Sequence, residues 1–294
     1  MDYFLPLLVS GLLSGAVYAV VGAAFVVVYR ASSVLNFSLG EWVSLGARLT
    51  GVGVQTAGLP LPVAILAALA LLTAVAAAFN RFVVSRLIGR PVVAVVMATL
   101  ALGVLMQAGA RFAVGGLPDE IPFPLADAAW HVGPLVLPPA RLIASGTAIV
   151  LLTATVAFFR FARSGLAIRA LADDPQAAAG SGIAVVRYLT LAWAISAALA
   201  VAGGVLWRID GLGGFSMALV LAKVLPVVVI GGLNSFGGAL VAAALVGVAE
   251  SLAAGYLDPM LGAGFSGVVA ASLVIVMLCI RPNGLFGAAP VARV

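Results

Sequence analysis

The chain has 294 residues, of which 64% are hydrophobic and 9% are charged, and its mean hydropathy is +1.25. Soluble proteins carry roughly 25% charged residues, so a soluble domain of this composition is excluded. The net charge of +5 could suggest a nucleic-acid partner. However, the basic residues cluster in short segments between apolar runs, as membrane topology requires, and we expect no binding to nucleic acid.

Apolar runs long enough to cross a bilayer recur along the whole chain. They are continuous, whereas the strands of a membrane barrel alternate apolar and polar residues. We therefore predict an all-α, polytopic transmembrane helical bundle in a single domain, 1–294, with about eight or nine spans. The predicted spans are 5–28, 42–57, 61–79, 92–113, 141–159, 188–207, 217–231, 237–254 and 265–280. The second and seventh are short and contain glycine, which is typical of tilted, broken or re-entrant helices.

The arginines predict an orientation for the bundle. With nine spans and an N-terminus outside, ten arginines fall on the cytoplasmic side, which the positive-inside rule favours. They are Arg30, Arg81, Arg86, Arg90, Arg160, Arg163, Arg169, Arg187, Arg281 and Arg293. The C-terminus is then cytoplasmic, the proline-rich loop 114–140 is periplasmic, and the loop 160–187 is cytoplasmic. The first run has no basic residues before it, so we interpret it as a retained span and not a cleaved signal.

Single residues exclude several kinds of site. One cysteine, Cys279, and one histidine, His131, permit no disulfide framework and no histidine or cysteine metal cluster, and we expect no cofactor. A phosphate-binding loop needs a lysine after its glycines, but the only lysine, Lys223, lies inside an apolar run. The chain therefore has no ATPase site of its own and no predicted catalytic residue.

The cytoplasmic loop 160–187 has the pattern of two short helices. Good helix formers start it, Asp173 or Asp174 can cap a second helix with Pro175 at its first position, and Gly180 or Gly182 can end that helix. Such a compact element suits insertion into a cleft on another protein. The alternative from spacing alone is an ordinary connector between two spans.

Five segments in chain order make this sequence similar to the bacterial branched-chain amino-acid ABC permeases. They are Gly15-Ala16-Val17-Tyr18-Ala19, Val34-Leu35-Asn36-Phe37-Ser38-Leu39-Gly40-Glu41, Ser164-Gly165 with Arg169-Ala170, Asp173 and Gly182-Ile183, Gly231-Gly232-Leu233-Asn234-Ser235-Phe236-Gly237-Gly238, and Arg281-Pro282-Asn283-Gly284-Leu285-Phe286-Gly287. Two departures are Ser38-Leu39, where the family often has histidine, and Asn234, where it usually has glycine. The resemblance covers nearly the whole chain.

The resemblance implies the membrane-spanning subunit of an ABC importer in the bacterial inner membrane, for branched-chain amino acids or related amino-acid and amide solutes. It also implies three kinds of partner: cytoplasmic ABC ATPase subunits, a homologous second permease subunit, and a periplasmic or lipid-anchored solute-binding protein. The ATPase would dock on the loop 160–187. The coupling residues that it implies are Gly165, Arg169, Asp173, Asp174, Ala178 and Gly182.

Charged and polar residues inside the predicted spans are candidates for the solute path. Glu41 and Arg48 are seven residues apart and share a helix face, which suggests a path or gate; the alternative is a helix end at the interface. Asn36 and Ser38 precede this span and could meet a substrate carboxylate, or simply cap the helix. The rival function is an ion-coupled secondary transporter that uses Glu41 and Arg48.

Lys223 and Glu250 lie in the seventh and eighth predicted spans. A charge alone at the centre of a bilayer costs at least roughly 2.5 kcal/mol, so we expect the two side chains to form an ion pair.

Overall fold

The computed structural model describes residues 3–87, 89–123, 125, 129–132, 135–173, 175–212, 217–262 and 264–287. Two residues that the sequence singled out, Asp174 and Arg293, lie outside this part of the chain. The helices are α1 (Phe4–Ser32), α2 (Leu39–Gln55), α3 (Leu61–Phe82), α4 (Val92–Val114), α5 (Pro139–Phe161), α6 (Arg163–Asp173), α7 (Pro175–Gly180), α8 (Val185–Asp210), α9 (Met217–Gly231), α10 (Phe236–Tyr256), α11 (Asp258–Leu261) and α12 (Phe265–Ile280). A 3₁₀ turn spans Val84–Leu87, and two short strands, β1 (Trp130–Val132) and β2 (Leu135–Leu137), pair as an antiparallel hairpin.

The prediction of an all-α membrane-type bundle is confirmed at this level. Each of the nine predicted runs falls on a helix. Among the described residues, six helices are long and apolar enough to cross a membrane, namely α1, α3 with its 3₁₀ turn, α4, α5, α8 and α10. Helices α9 and α12 are apolar but shorter, and α2 has 17 residues. The number of crossings and the orientation of the termini stay predictions.

Helix α1 is the centre of the bundle. Its residues 17–28 are buried, and α1 packs against α5, α8, α9 and α10. Glycines allow its backbone to approach α10 closely, because a Cβ atom on Gly11 would lie 2.6 Å from the carbonyl oxygen of Gly247. The outer helices instead expose large apolar side chains, such as Phe112 with 96% of its surface exposed. The exposed apolar side chains therefore cover the outside of the bundle, as expected for a surface that faces lipid, and the buried helix α1 lies at its centre.

Helix α2 starts inside the bundle and not at its edge. Helix α1 ends at Ser33, which has φ +56°, and the chain then turns back. The backbone N–H of Phe37 donates to the hydroxyl of Thr99, which lies seven residues into α4. The start of α2 is therefore about 10 Å along α4, at 1.5 Å per residue. The second predicted span is therefore a short helix of 17 residues that begins at depth in the bundle.

The two ends of the bundle are called the Phe4 end and the Ser32 end, after the first and last residues of α1. The Phe4 end contains the end of α8 and the start of α5, because Arg141 contacts Ser10 and Ser14. The Ser32 end contains the end of α5 and the start of α10, because the Arg30 guanidinium lies 5.4 Å from the centre of the Phe236 ring. Helices α6 and α7 also lie at the Ser32 end, since α6 packs against α1 and α5.

Candidate functional site

The turn before α2 satisfies its own polar groups. The Asn36 Oδ1 atom accepts hydrogen bonds from the Ser38 backbone N–H at 3.1 Å and from its hydroxyl at 2.6 Å. The Trp42 ring N–H donates to the Ser38 hydroxyl oxygen at 2.9 Å. Asn36 and Ser38 are both buried. The two side chains therefore hydrogen-bond within the turn that leads into α2, and the Ser38 side chain accepts no hydrogen bond from an N–H group of the helix. Their contact with a solute stays a prediction.

Glu41 and Arg48 lie on α2 but have separate partners. Gln107 lies in α4, and its amide donates a hydrogen bond of 3.3 Å to the buried Glu41 carboxylate. Arg48 lies at the Phe4 end, where its Nε atom is 3.5 Å from the Asp119 carboxylate. Arg208 contacts the same carboxylate at 3.0 Å. The two predicted gate residues therefore differ in their surroundings: Glu41 is buried beside a neutral amide, and Arg48 belongs to a partly exposed ion cluster.

Lys223, Glu250 and Tyr18 form a polar cluster on three helices, α9, α10 and α1. The Lys223 ammonium contacts the Glu250 carboxylate and also donates to the Tyr18 hydroxyl oxygen at 3.2 Å. The Tyr18 hydroxyl donates to the second Glu250 oxygen at 2.9 Å. The two charges that the sequence suggested as a pair are thus in contact, and the tyrosine joins them. Sequence reasoning had no role for Tyr18 beyond its place in a family segment.

A second ion pair was not expected from the sequence. Arg141 on α5 contacts Asp210, the last residue of α8, at 3.1 Å, and the Asp210 side chain is completely buried. The Ser14 hydroxyl donates to Asp210 at 3.0 Å, and Arg141 donates to Ser10 at 2.7 Å and to Ser14 at 3.2 Å. The sequence held one sign of this polar cluster: Ser10, Ser14 and Tyr18 are spaced four residues apart and therefore share one face of α1.

The loop 160–187 folds as the predicted two short helices, α6 and α7. Ile168 and Leu171 are buried on the inner face of α6, and Leu166 on its outer face is 59% exposed. Gly165 permits close packing, because a Cβ atom there would lie 2.4 Å from the Phe158 carbonyl oxygen. The element is therefore fixed to the bundle on one side and open on the other. Arg169 is half-buried, and the side chain of Asp173 lies outside the described atoms.

The end of α7 also follows the sequence pattern. Ala178 is buried, and its carbonyl oxygen accepts from the Ile183 N–H at 3.0 Å. Gly182 has φ +82°, a backbone conformation that favours glycine, with open space around it. The glycine therefore ends α7 for a conformational reason and leaves its surface unobstructed.

The last two family segments of the sequence pack against each other. The N–H groups of Leu285 and Phe286 donate to the carbonyls of Ile230 and Gly231 at 2.8 and 3.2 Å. The C-terminal segment is thereby hydrogen-bonded to the end of α9. In the following turn, the Ser235 hydroxyl caps α10 by accepting from the Gly238 N–H at 3.0 Å.

Known proteins resemble this chain over nearly its whole length. The family model described as branched-chain amino acid transport system / permease component matches residues 7–280. The high-affinity branched-chain amino acid transport system permease protein LivH of Salmonella typhimurium is 26% identical over 99% of this chain and 98% of its own. LivH of Escherichia coli K12 is similar to the same extent. A probable LivH permease of Methanocaldococcus jannaschii is 33% identical over 42% of this chain and 40% of its own.

A solved structure shares the fold. PsaBC from Streptococcus pneumoniae in complex with Fab matches with a TM-score of 0.52 and 16% identity, over 94% of this chain and 92% of that one. The family match includes all the transmembrane-length helices and the segments that carry the polar clusters described above. The chain is a multi-pass membrane protein and belongs to the permease components of branched-chain amino acid ABC transport systems.

Proposed function

We propose that this chain is the translocating subunit of an ABC importer that moves branched-chain amino acids, or related small amino-acid and amide solutes, across a bacterial inner membrane. Separate ATPase subunits drive it, a homologous second permease completes the pore, and a periplasmic or lipid-anchored binding protein delivers the solute. In this proposal the Phe4 end is outside and the Ser32 end is cytoplasmic, which agrees with the arginine distribution.

The proposal rests mainly on how the helix pair α6–α7 is packed against the bundle. It lies at the same end as the C-terminal segment, its inner face is buried against α1 and α5, and its outer face exposes Leu166. A short helix pair with one anchored and one open face transmits a displacement to the bundle, because packed side chains cannot be compressed. Gly165, Arg169, Asp173, Asp174, Ala178 and Gly182 are the proposed coupling residues.

We place the gate of this importer at α2. The helix starts within the bundle, so its first turn presents a positive dipole end and backbone N–H groups at depth. Asn36, Ser38 and Glu41 lie at that end, and Arg48 lies toward the opposite end. A movement of α2 would expose the first group and break the Arg48–Asp119 contact at the same time.

The test compares two glycines in proteoliposomes that contain the complete transporter. Gly182→Arg changes the end of α7, and Gly89→Arg makes the same substitution in another loop at the Ser32 end. Both glycines have φ +82° and open space around the missing side chain, so the backbone penalty is matched. We expect Gly182→Arg to abolish ATP-driven leucine uptake while Gly89→Arg retains most of it. Equal uptake by both variants would remove the coupling role.

The same vesicles distinguish the rival transport mechanism. Leucine uptake by the wild type should require ATP and the binding protein, and an imposed proton gradient without ATP should drive none. Uptake that follows the proton gradient alone would replace the proposed importer with an ion-coupled transporter.

A further inference from the structure

The cluster of Lys223, Glu250 and Tyr18 lies at mid-depth in the bundle. Tyr18 is fourteen residues from Phe4 and fourteen from Ser32, the two ends of α1. At 1.5 Å per residue it is about 21 Å from each end, which is the middle of a bilayer-spanning helix. The Lys223 ammonium and the Glu250 carboxylate both contact the Tyr18 hydroxyl, so they share this depth.

Lys223 is not fully enclosed by the chain. Its side chain is 22% exposed and that of Glu250 is 11% exposed. The neighbouring Ala222 is exposed as well, on the same half of α9. A charge at the centre of a bilayer does not face lipid, because hydrocarbon cannot solvate it. The open side of the cluster therefore faces either a polar path or a second protein.

The cluster has unused hydrogen-bonding capacity on that side. An ammonium group has three donors, and within the described part of the chain two of them go to Glu250 and Tyr18. Pro226 lies in the interior of α9 and has no N–H, so the carbonyl of Ala222, four residues earlier, has no partner in the helix ladder. A spare cationic donor thus lies on the residue next to a carbonyl that lacks its donor in the helix ladder, and Ala222 itself is exposed.

These groups match the two ends of a zwitterion. A carboxylate can accept from the Lys223 ammonium, and an α-ammonium can donate to the Ala222 carbonyl and to Glu250. Because both the ion pair and the zwitterion are neutral overall, their association brings no net charge into the membrane. Amides and urea offer the lysine a neutral carbonyl oxygen in place of a carboxylate, so they would lose the stronger hydrogen bond between two opposite charges.

We propose that Lys223, Glu250 and the Ala222 carbonyl form a transit site for zwitterionic α-amino acids inside the membrane. The inference rests on the proposed importer function and specifies its solute class. It excludes the alternative in which the ion pair only holds α9 against α10 or against the second subunit.

The first test measures leucine uptake by the complete transporter, normalised to ATP hydrolysis and to the amount of folded protein. Loss of one charge-assisted hydrogen bond should lower uptake at subsaturating leucine at least tenfold in Lys223→Gln, whereas Lys223→Arg keeps the charge and most of the uptake. Asp210→Asn disrupts the buried ion pair with Arg141 at the Phe4 end and controls for the general effect of breaking such a pair.

A charge exchange separates a transit site from a structural pair. In the double variant Lys223→Glu with Glu250→Lys the ion pair persists, but the cation no longer adjoins the Ala222 carbonyl. The transit site predicts that uptake stays as low as in Lys223→Gln. Restored uptake would mean that only the pairing matters and would overturn the inference.

The second test needs no transport. Ala222→Cys is made with Cys279→Ser, and the protein in lipid vesicles reacts with a membrane-impermeant methanethiosulfonate. We expect the introduced thiol to react, and leucine to slow the reaction while leucinamide and isovalerate, which each lack one charge, do not. No reaction, or equal protection by all three, overturns the inference. Absence of leucine uptake by the wild type would instead refute the proposed function.

Discussion

The packing of the two glycine-rich segments gives a quantitative prediction at Gly284. This residue has φ +79°, and a Cβ atom on it would lie 2.7 Å from the backbone nitrogen of Gly232 and 2.8 Å from the carbonyl oxygen of Val229. Backbone atoms at the end of α9 cannot move aside as a flexible side chain would. Gly284→Ala should therefore displace the C-terminal segment from α9.

The magnitude has two parts. The left-handed backbone conformation costs an alanine about 1–2 kcal/mol relative to glycine. The steric contact adds about 1–3 kcal/mol, the usual cost of overpacking. Gly89→Ala is the matched control, because Gly89 has φ +82° and nothing within 4 Å of its missing side chain. The control carries the first cost alone.

The measurement is reversible unfolding in mild detergent micelles titrated with dodecyl sulfate, followed by helical circular dichroism. We expect Gly284→Ala to lower the free energy of unfolding by about 1–3 kcal/mol more than Gly89→Ala does. Hydrogen exchange should also increase at the Leu285 and Phe286 N–H groups, which donate to α9. Equal destabilisation by the two variants would show that the segment does not pack as described.

Three further substitutions test other contacts, two by the same unfolding measurement and the third by the reactivity of a thiol. Asp210→Asn leaves Arg141 without its carboxylate and should cost about 3 kcal/mol, near the lower limit for breaking a buried pair because the arginine is partly exposed. Ser235→Ala removes the cap of α10 and should cost about 1 kcal/mol. Gly51→Ala would put a Cβ atom 1.9 Å from the Asp119 carbonyl oxygen, so it should release the segment after α4 and make an introduced Asp119→Cys thiol more reactive. An unchanged value in any of the three contradicts the contact concerned.

The helices were predictable because the signal for them is local. A continuous apolar run of sufficient length has one stable form in lipid, and each of the nine runs lies on a helix. The end of α7 was predictable to within two residues: the sequence offered Gly180 or Gly182, α7 ends at Gly180, and Gly182 has the positive φ. The hairpin of β1 and β2 was not predicted, because its three-residue strands, Trp130–Val132 and Leu135–Leu137, are too short to show alternation.

The partners of the charged residues were only partly predictable. Lys223 and Glu250 could be matched because each had few candidates inside an apolar run. The partner of Arg48 could not be inferred, because Asp119 belongs to a loop whose path over α2 depends on the tertiary fold. Sequence spacing placed Glu41 and Arg48 on one helix face, but it could not show that Gln107 contacts one of them and an aspartate the other.

The electrostatics of the bundle distinguish Glu41 from the other charged residues in its interior. Lys223 and Arg141 each have a carboxylate in contact, so the cost of burying these charges is offset by opposite charge. Glu41 is buried with a neutral amide donor, and among the described residues no cationic group lies within ion-pair distance of it. The Arg111 guanidinium on α4 attracts the carboxylate from beyond ion-pair distance, and the positive dipole at the start of α2, in whose first turn Glu41 lies, adds to this. A movement of α2 carries the dipole with it, whereas it would separate an ion pair. Glu41 is therefore the proposed gate residue that can remain stabilised in both positions of the helix.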